Sequence, residues 1–315
     1  MMPSRGPVLV TGATGFLGAH VAGAFAAKGW TVVAAHRAGA DLRRLAGLTG
    51  LATVVCRLDD RASLEAALER SRAEAVVHCA AYGVDYSERD LDRAVAVNVN
   101  GTADLVAAAA RAGVRRFLHV GTSYEYGSAA SPVREDAPLE PRSVYGATKA
   151  AGAVLARQIA RAAKLPLAVA RPFAMYGPTE RSTKLVPSLI AACLAGKRMA
   201  LTKGEQRRDY TYVGDVADAI RRLVELADFP DGEAVNLSSG EPMTLRALAE
   251  EIRRAVGGSD VFGWGDLPYR DDEIMALWAD ATKAERLIGK VTKTPLGEGV
   301  LATRRALTEG AMAGS

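Results

Sequence analysis

Tyr145 and Lys149 form the pair whose residue types and spacing are best suited to chemistry in this sequence. They stand four positions apart in the stretch YGATK, which opens a long helical pattern. Residues i and i+4 share one face of a helix. A lysine ammonium beside a phenol stabilises the phenolate and lowers the pKa of the tyrosine. We therefore expect Tyr145 to act as an acid or base on a carbonyl/alcohol pair, with Lys149 tuning it.

A third polar group is expected from the stretch RFLHVGTS, which predicts a strand from Arg115 to Ser123. Thr122 is best placed there to hydrogen-bond a substrate oxygen, and Ser123 is the second choice. The alternative is a hydroxyl that only caps the strand end.

Three glycines at a spacing of three, Gly12, Gly15 and Gly18, follow the predicted strand PVLVT and open a predicted helix from Phe16 to Lys28. Glycine lets the backbone turn sharply and approach a ligand closely. The free N–H groups at a helix start favour an anion, and a dinucleotide pyrophosphate is the usual occupant in this context. We predict cofactor contacts from this loop, with a tight turn that binds nothing as the alternative. The predicted contacts are Gly12, Thr14, Gly15, Phe16, Leu17 and Gly18.

The end of the second predicted strand, AAHRAG, bears on which nicotinamide cofactor is used. A unit that binds NAD usually places an acidic residue there to hold the ribose hydroxyls. This chain has His36 at that place, followed by Arg37, whose guanidinium could pair with a 2′-phosphate. NADP(H) is therefore favoured, and NAD(H) remains possible. The alternative is that Arg37 is a solvated loop residue.

Short apolar runs alternate with helical patterns through the first half of the chain. This alternation predicts βαβ units and a parallel sheet covered on both faces. We expect a Rossmann-type doubly wound α/β domain over residues 1–172. Residues 173–315 should form a smaller α/β substrate domain, of which part of 207–238 could pack back on the first. The six predicted strands are 7–11, 31–36, 52–58, 73–80, 115–123 and 165–172.

Composition narrows the possible partners of the chain. Its 315 residues carry 40 basic and 36 acidic side chains, a net charge of +4 without runs of like charge, which argues against a nucleic-acid partner. The three cysteines and four histidines show no metal-ligand spacing, so no metal site is predicted. The start MMPSRGP lacks an apolar signal core, and no apolar run is long enough to span a membrane. A cytoplasmic location is the expectation.

Taken together, these motifs resemble the extended short-chain dehydrogenase/reductase family of nucleotide-sugar epimerases, dehydratases and reductases. The resemblance extends over nearly the whole chain. It implies a nicotinamide-dependent enzyme with Thr122, Tyr145 and Lys149 as catalytic residues. It also implies a homodimer formed by the helix after NVNGT and the helix that carries Tyr145. The predicted cofactor site also includes Leu58, Ala80, Ala81, Asn98, Tyr145 and Lys149. Lys149 is expected to hold the nicotinamide ribose, and for Asn98 a purely structural role is equally open.

The second half carries two stretches similar to family segments that bind a sugar-nucleotide diphosphate. In GEQRRDYTYVGDV the matching arginine is Arg208, and in LPYRDDEIMALWADATKAERLIG it is Arg270. Two guanidiniums suit a diphosphate because they form forked, charge-assisted hydrogen bonds. Ordinary ion pairs are the alternative for both. The chain departs from the family at RPFAMYGP, where Ala174 replaces a frequent Asn, so the substrate should be held differently.

The residues after Thr122 separate the possible reactions. Family members that dehydrate sugars carry an Asp-Glu pair where this chain has Ser123 and Tyr124, which we expect to contact the substrate instead. Glu125, one position later on the expected strand, should face the opposite side. The favoured hypothesis is an NADPH-dependent reductase of a nucleotide-linked 4-keto-(6-deoxy)hexose. The alternatives are an NAD-dependent nucleotide-sugar 4-epimerase, a reductase of a non-nucleotide carbonyl, and a non-catalytic dinucleotide-binding protein.

Overall fold

The computed structural model describes residues 6–84, 87–271 and 273–312, so most of the amino-terminal segment MMPSRGP lies outside the described residues. Within them the strands are β1 Val8–Thr11, β2 Val32–His36, β3 Leu51–Val55, β4 Ala75–His78, β5 Arg116–Val120, β6 Leu167–Pro172, β7 Ala174–Tyr176, β8 Met199–Leu201, β9 Arg207–Arg208, β10 Tyr210–Tyr212, β11 Ala234–Leu237, β12 Met243–Thr244, β13 Phe262–Trp264 and β14 Ala276–Leu277. The helices are α1 Phe16–Ala26, α2 Arg61–Ser71, α3 Leu91–Val95, α4 Gly101–Arg111, α5 Val144–Ala163, α6 Leu185–Ala195, α7 Val213–Glu225, α8 Leu245–Val256, α9 Thr282–Ile288 and α10 Leu296–Met312.

A seven-stranded parallel sheet organises the first part of the chain, in the order β11-β6-β5-β4-β1-β2-β3. Helices α1 and α7 pack together over one face, and α2, α4 and α5 pack over the other. The strands are almost entirely apolar because both faces are covered; Val8, Leu9 and Val10, for example, are fully buried. The predicted doubly wound α/β fold is confirmed. Parallel strands end at one edge of the sheet, so the loops after β1, β2, β4 and β5 lie side by side there.

The second part of the chain contributes to both lobes. Strand β11 pairs with β6, and α7 lies against α1, so residues 213–237 complete the first lobe. The smaller lobe has its own core, made where α6, α8 and α10 meet, with Leu189, Leu248, Ile252 and Val300 fully buried. Small sheets flank it: β7 with β10, β8 with β13, and β9 between β12 and β14. No helix in the described ranges is long and apolar enough to cross a membrane.

Three predicted strands end earlier than the sequence indicates, and the fourth of the six ends at His78 instead of residue 80. The third covers 51–55 rather than 52–58, because Asp60 caps α2 by accepting the N–H of Ser63 at 3.1 Å, so the chain turns after Cys56. The fifth ends at Val120, and Ser123–Glu125 form a 3-10 turn. Glu125 therefore does not lie on a strand facing away, and the expectation that it would is wrong.

Candidate active site

The loop between β1 and α1 is built around its glycines. Gly12 has φ +64°, and a Cβ there would stand 2.7 Å from the backbone of Ala80 after β4. A Cβ on Gly18 would stand 2.2 Å from the carbonyl oxygen of Gly12. The loop can therefore lie tightly between the sheet and the first turn of α1 only because these positions lack side chains.

The start of α1 presents free backbone donors. Gly15 is the N-cap and supplies no side-chain cap, and the first turn contains no acidic residue. The N–H groups of Phe16, Leu17 and Gly18 have no acceptor within the helix, since the first intrahelical bond runs from Ala19 to Gly15. We call Gly12, Gly15 and Gly18 the glycine cradle. Its lack of Cβ atoms and the free backbone N–H groups at the start of α1 fit a pyrophosphate.

Arg44 braces this loop and was not predicted from the sequence. Its Nη1 donates to the carbonyl oxygen of Thr14 at 3.0 Å. Its Nε and Nη2 donate to the carbonyl oxygen of Thr179, at 3.1 and 2.9 Å. The guanidinium thus links the predicted phosphate loop to the segment after β7. A single arginine in an irregular loop carries no periodic signal that would have revealed this link.

The other predicted cofactor residues lie at the same sheet edge. His36 ends β2 half-buried, with Nδ1 2.9 Å from the carbonyl oxygen of Arg37, whose own side chain is exposed. Ala80 and Ala81 follow β4 and are half-buried beside the glycine loop. Leu58, after β3, packs against Gly101, where a Cβ would stand 2.6 Å from the Leu58 carbonyl oxygen.

Asn98 lies within a π turn, Ala96–Asn100, and is buried. Its amide forms a two-way pair with the backbone of Tyr82, with both hydrogen bonds at 2.8 Å. The same NH2 group donates to Thr148 on α5 at 3.0 Å. These contacts tie the loop after β4 to the helix that carries Tyr145, which gives Asn98 a structural part in the site.

Tyr145 lies in the first turn of α5, whose start is capped by Ser143 accepting the N–H of Gly146 at 3.1 Å. The side chain of Thr122 lies beside its hydroxyl and acts to lower the pKa of Tyr145. Burial acts more strongly in the opposite direction, together with the charge of Glu125, and the net pKa is raised above the usual value of a tyrosine. The lowered pKa that the Tyr145–Lys149 spacing predicts is therefore wrong for this structure.

The orientation of Lys149 explains why the pKa of Tyr145 is not lowered. Its ammonium is buried and turned to the ring of His119, with Nζ 3.3 Å from Nε2. Burial lowers the pKa of Lys149 to about 8, while the charge of Glu125 acts to raise it. His119 is itself held neutral, because burial moves its pKa well below the usual value. Tyr145 and Lys149 share a helix face as predicted, but each has a different polar neighbour.

The predicted substrate residues lie on facing elements. Ser123 is buried in the 3-10 turn and Tyr124 is half exposed, with its ring centroid 6.3 Å from that of Tyr145. Tyr210 on β10 feels the charge of Arg208 and the neighbouring Tyr124, while burial raises its pKa to about 12. The Arg208 segment therefore approaches the turn that follows Thr122.

The two predicted diphosphate arginines come from segments that meet. Strand β9, which carries Arg208, pairs with β14 in parallel. Arg208 donates through Nη2 to the carbonyl oxygen of Ile274 and lies 3.8 Å from the carboxylate of Glu273. Arg270 is exposed on the loop that leads to Glu273. The two arginines thus lie on segments that meet in the small lobe, where Arg208 has protein partners.

One buried pair beneath this site escaped the sequence analysis. Glu125 Oε2 lies 2.7 Å from Arg171 Nε, and Glu125 Oε1 accepts the N–H of Thr122 at 2.9 Å. The partners lie 46 positions apart. Neither the sequence around Glu125 nor that around Arg171 carries a local pattern that would indicate this pair.

A parallel α/β sheet with a glycine cradle and a Tyr–Lys pair at one edge defines a dinucleotide-binding enzyme class. Residues 8–238 match the model of the NAD dependent epimerase/dehydratase family. The chain therefore belongs to that family, within the nucleotide-sugar group of extended short-chain dehydrogenases/reductases.

The relatives include both epimerases and dehydratases, the two activities in the name of the family. A UDP-glucose 4-epimerase from Mycolicibacterium smegmatis is 31% identical, over 94% of this chain and 96% of its own. A dTDP-glucose 4,6-dehydratase from Streptomyces griseus is 32% identical, over 72% of this chain and 70% of its own. The crystal structure of a UDP-glucuronic acid 4-epimerase from Bacillus cereus, in complex with UDP-glucuronic acid and NAD, superposes with a TM-score of 0.85 at 26% identity. That match covers 96% of this chain and 99% of the other.

Proposed function

We propose that the protein is an NAD-dependent epimerase acting at C4 of a nucleoside-diphosphate hexose. The observation that carries this proposal is the placement of Thr122 beside Tyr145, with Lys149 on the same helix face as Tyr145, at the sheet edge that holds the glycine cradle. The relatives that span almost the full chain, a UDP-glucose and a UDP-glucuronic acid 4-epimerase, support the C4 assignment. NAD in the Bacillus cereus complex supports that cofactor over NADP.

The side chains suit a reaction in which a C4 alcohol is oxidised and the ketone is then reduced on its other face. NAD, when bound, would supply the acceptor and then the donor of the C4 hydride. Thr122 holds the C4 oxygen by a hydrogen bond, and Tyr145 takes its proton on oxidation and gives it back on reduction. Because burial favours the neutral phenol, the phenolate depends on a nearby positive charge. Lys149 shares the helix face of Tyr145 and would supply this charge by turning from His119.

Arg208 and Arg270 are proposed to anchor the diphosphate. Both lie in the region where β9 meets the segment before β14. A diphosphate between them would replace the weak 3.8 Å contact of Arg208 with Glu273 by charge-assisted hydrogen bonds. An anchor on the nucleotide side leaves the sugar free to present either face of C4, which an epimerase requires.

A 4,6-dehydratase fits the same fold less well. Elimination and reprotonation need acid and base groups beside the sugar. Ser123 and Tyr124 stand at the two positions after Thr122, and the next carboxylate along the chain, Glu125, is fully buried against Arg171. This arrangement favours redox chemistry at C4 alone.

A reductase that uses NADPH is the second candidate. The observation in its favour is the end of β2, where His36 and the exposed Arg37 replace the acidic residue that holds the NAD ribose. An exchanging NADPH would supply the hydride, and Tyr145 would supply the proton to a 4-keto sugar.

The helix after NVNGT, α4, packs on α2 and α5 within the subunit and is mostly buried, so we propose a homodimer through α3 and α5 instead of the α4 and α5 pair that the resemblance implies. Helices α3 and α5 pack on each other and expose apolar side chains to solvent: Leu91 is 56% exposed, Val95 37%, Val154 50% and Leu155 40%. Large apolar side chains clustered on neighbouring helices indicate an interface.

Releasing the cofactor from freshly purified protein tests the choice between these candidates. The protein is denatured, and the nicotinamide is identified by chromatography and compared with the protein concentration. Stoichiometric NAD, together with conversion of UDP-glucose or UDP-glucuronate into the C4 epimer, supports the epimerase. Release of NADP would instead support the reductase. The same conclusion would follow if the protein were purified without cofactor and oxidised NADPH in the presence of a nucleotide-linked 4-keto sugar.

A further inference from the structure

A buried ion pair lies directly beneath the turn that carries Thr122, and the proposed mechanism does not use it. The Glu125 and Arg171 side chains are 0% and 3% exposed and meet at 2.7 Å. The second carboxylate oxygen of Glu125 accepts the backbone N–H of Thr122 at 2.9 Å. A buried ion pair is weak evidence for stability, because desolvation offsets its attraction. Its location therefore calls for another role.

The pair is held by a second layer of polar contacts. Arg171 Nη1 lies 2.7 Å from the Tyr126 hydroxyl, and that hydroxyl donates to Asn236 Oδ1 at 2.8 Å. The guanidinium also stacks over the Tyr126 ring, with Cζ 4.6 Å from its centroid. Gly121 leaves room for the carboxylate, because a Cβ there would stand 2.3 Å from Glu125 Oε1. The turn is thus anchored to β6 and β11, the strands beneath it.

We propose that the Glu125–Arg171 pair is a positioning device, which locks the turn that carries Thr122 and places one fixed negative charge beneath Tyr145 and Lys149. Glu125 contacts neither the Tyr145 hydroxyl nor the substrate carbon. It therefore acts through its hydrogen bond with Thr122 and through the electrostatic field at Lys149. This inference rests on the proposed function, because it gives Thr122 and Lys149 roles in turnover.

Among the groups around Lys149, Glu125 supplies the negative charge that acts on the ammonium. The groups around the ammonium are His78 at the end of β4, Cys79 just after it, His119 on β5 and Glu125 in the turn, with the charges of Arg171 and Arg157 acting on His119. Burial lowers the pKa of His78 to about 3 and that of His119 well below its usual value, so both rings are neutral. Burial raises the pKa of the Cys79 thiol to about 12, so it is protonated. Glu125, ion-paired with Arg171, is then the carboxylate whose charge acts on Lys149.

Titration of Lys149 tests this role without a substrate. Lysine labelled with ¹³C at Cε is followed by NMR in the full-length protein, and Lys149→Arg identifies the signal. We compare wild type, Glu125→Gln, and the double variant Glu125→Gln with Arg171→Met. Arg198→Met is the matched control, since it removes an exposed arginine–carboxylate pair with Asp266 far from the site.

The expected result is a shift of the Lys149 midpoint in Glu125→Gln to lower pH by roughly one unit, with partial recovery in the double variant and no shift in Arg198→Met. In turnover assays Glu125→Gln should lower kcat by roughly tenfold and leave KM within about twofold, since the substrate anchors are untouched. An unchanged Lys149 midpoint in folded Glu125→Gln would overturn the proposal, and so would an unchanged kcat.

Gly121→Ala provides the second variant in case Glu125→Gln does not fold. Its Cβ displaces the carboxylate while every charge is kept. We expect a loss of kcat with little change in KM, and wild-type kcat in Gly121→Ala would contradict the positioning role. The two proposals fail separately: if no nucleotide sugar is converted but the Lys149 midpoint still shifts, the proposed function fails and the role of Glu125 in setting the charge at Lys149 stands.

Discussion

The cofactor edge of the large sheet and the arginine-bearing region of the small lobe differ in how closely their residues are tied to backbone geometry. At the cofactor edge, Gly12 and Gly18 face backbone atoms that leave no room for a Cβ. In the small lobe, Arg208 reaches its partners through a long flexible side chain, and its contact with Glu273 is 3.8 Å. The first region is fixed by main-chain packing, whereas the second is set by side chains that a ligand can rearrange. Chemistry should therefore be intolerant of change at the cofactor edge and binding should be adjustable in the small lobe.

This difference also decides what the sequence could predict. The glycine spacing, the Tyr145–Lys149 spacing and the alternation of strands and helices are local patterns, and the structure has the corresponding elements in the expected order. The partners of Glu125 and Arg44 lie 46 and 135 positions away, and no local pattern encodes such pairs. The pKa of Tyr145 could not be predicted either, because burial and Glu125 outweigh what the helix spacing indicates.

The largest expected effect at the cofactor edge comes from Tyr145→Phe. Loss of the proton-transfer group should lower kcat by about 10²–10⁴-fold, while the protein folds and retains its nicotinamide. The measurement is turnover of the nucleotide sugar, with cofactor content as the control. A variant that kept a tenth of the wild-type rate would remove Tyr145 from the mechanism.

Gly18→Ala should abolish most cofactor binding, because the new Cβ would stand 2.2 Å from the Gly12 carbonyl oxygen and must displace the loop. The measurement is the nicotinamide-to-protein ratio after purification. Gly297→Ala is the matched control, since it also lies in a helix but has open space around its added Cβ. Equal cofactor content in the two variants would contradict the role of the glycine cradle in cofactor binding.

Arg208→Met probes the small lobe and should act on binding. Loss of a charge-assisted hydrogen bond of roughly 1.5–3 kcal/mol raises KM by about 10- to 100-fold and leaves kcat nearly unchanged. Arg207→Met is the control on the same strand, since Arg207 stacks on Trp278 and is exposed. Steady-state kinetics distinguish the outcomes: a loss confined to kcat would argue against a diphosphate anchor.

The pH dependence should follow Lys149. Because its pKa is lowered to about 8, the ammonium is present below that pH and is lost as pH rises through it. We expect kcat/KM to fall above about pH 8, by up to tenfold per pH unit. Lys149→Arg keeps its charge to much higher pH, so this alkaline decrease should disappear whatever the absolute rate. A wild-type profile that is flat to pH 10 would be inconsistent with this role.

The smallest effect on turnover is expected at the α3/α5 surface. Leu155→Asp should convert a dimer into a monomer in light scattering, because it places a charge in an apolar contact. Turnover should change little, since Leu155 lies on the exposed face of α5. Leu194→Asp, similarly exposed on α6, should leave the mass unchanged. If both variants keep the wild-type mass, the proposed interface is wrong.

The most direct test of the central claim follows the hydrogen at C4. A nucleotide hexose carrying deuterium at C4 is mixed in equal amount with an unlabelled hexose of distinguishable nucleotide mass, and both products are analysed by mass spectrometry. The epimerase account predicts that the inverted sugar keeps its deuterium at C4 without added cofactor, and that no deuterium passes to the unlabelled nucleotide sugar. Loss of the deuterium to solvent, or product formation only when NADPH is supplied, would contradict it.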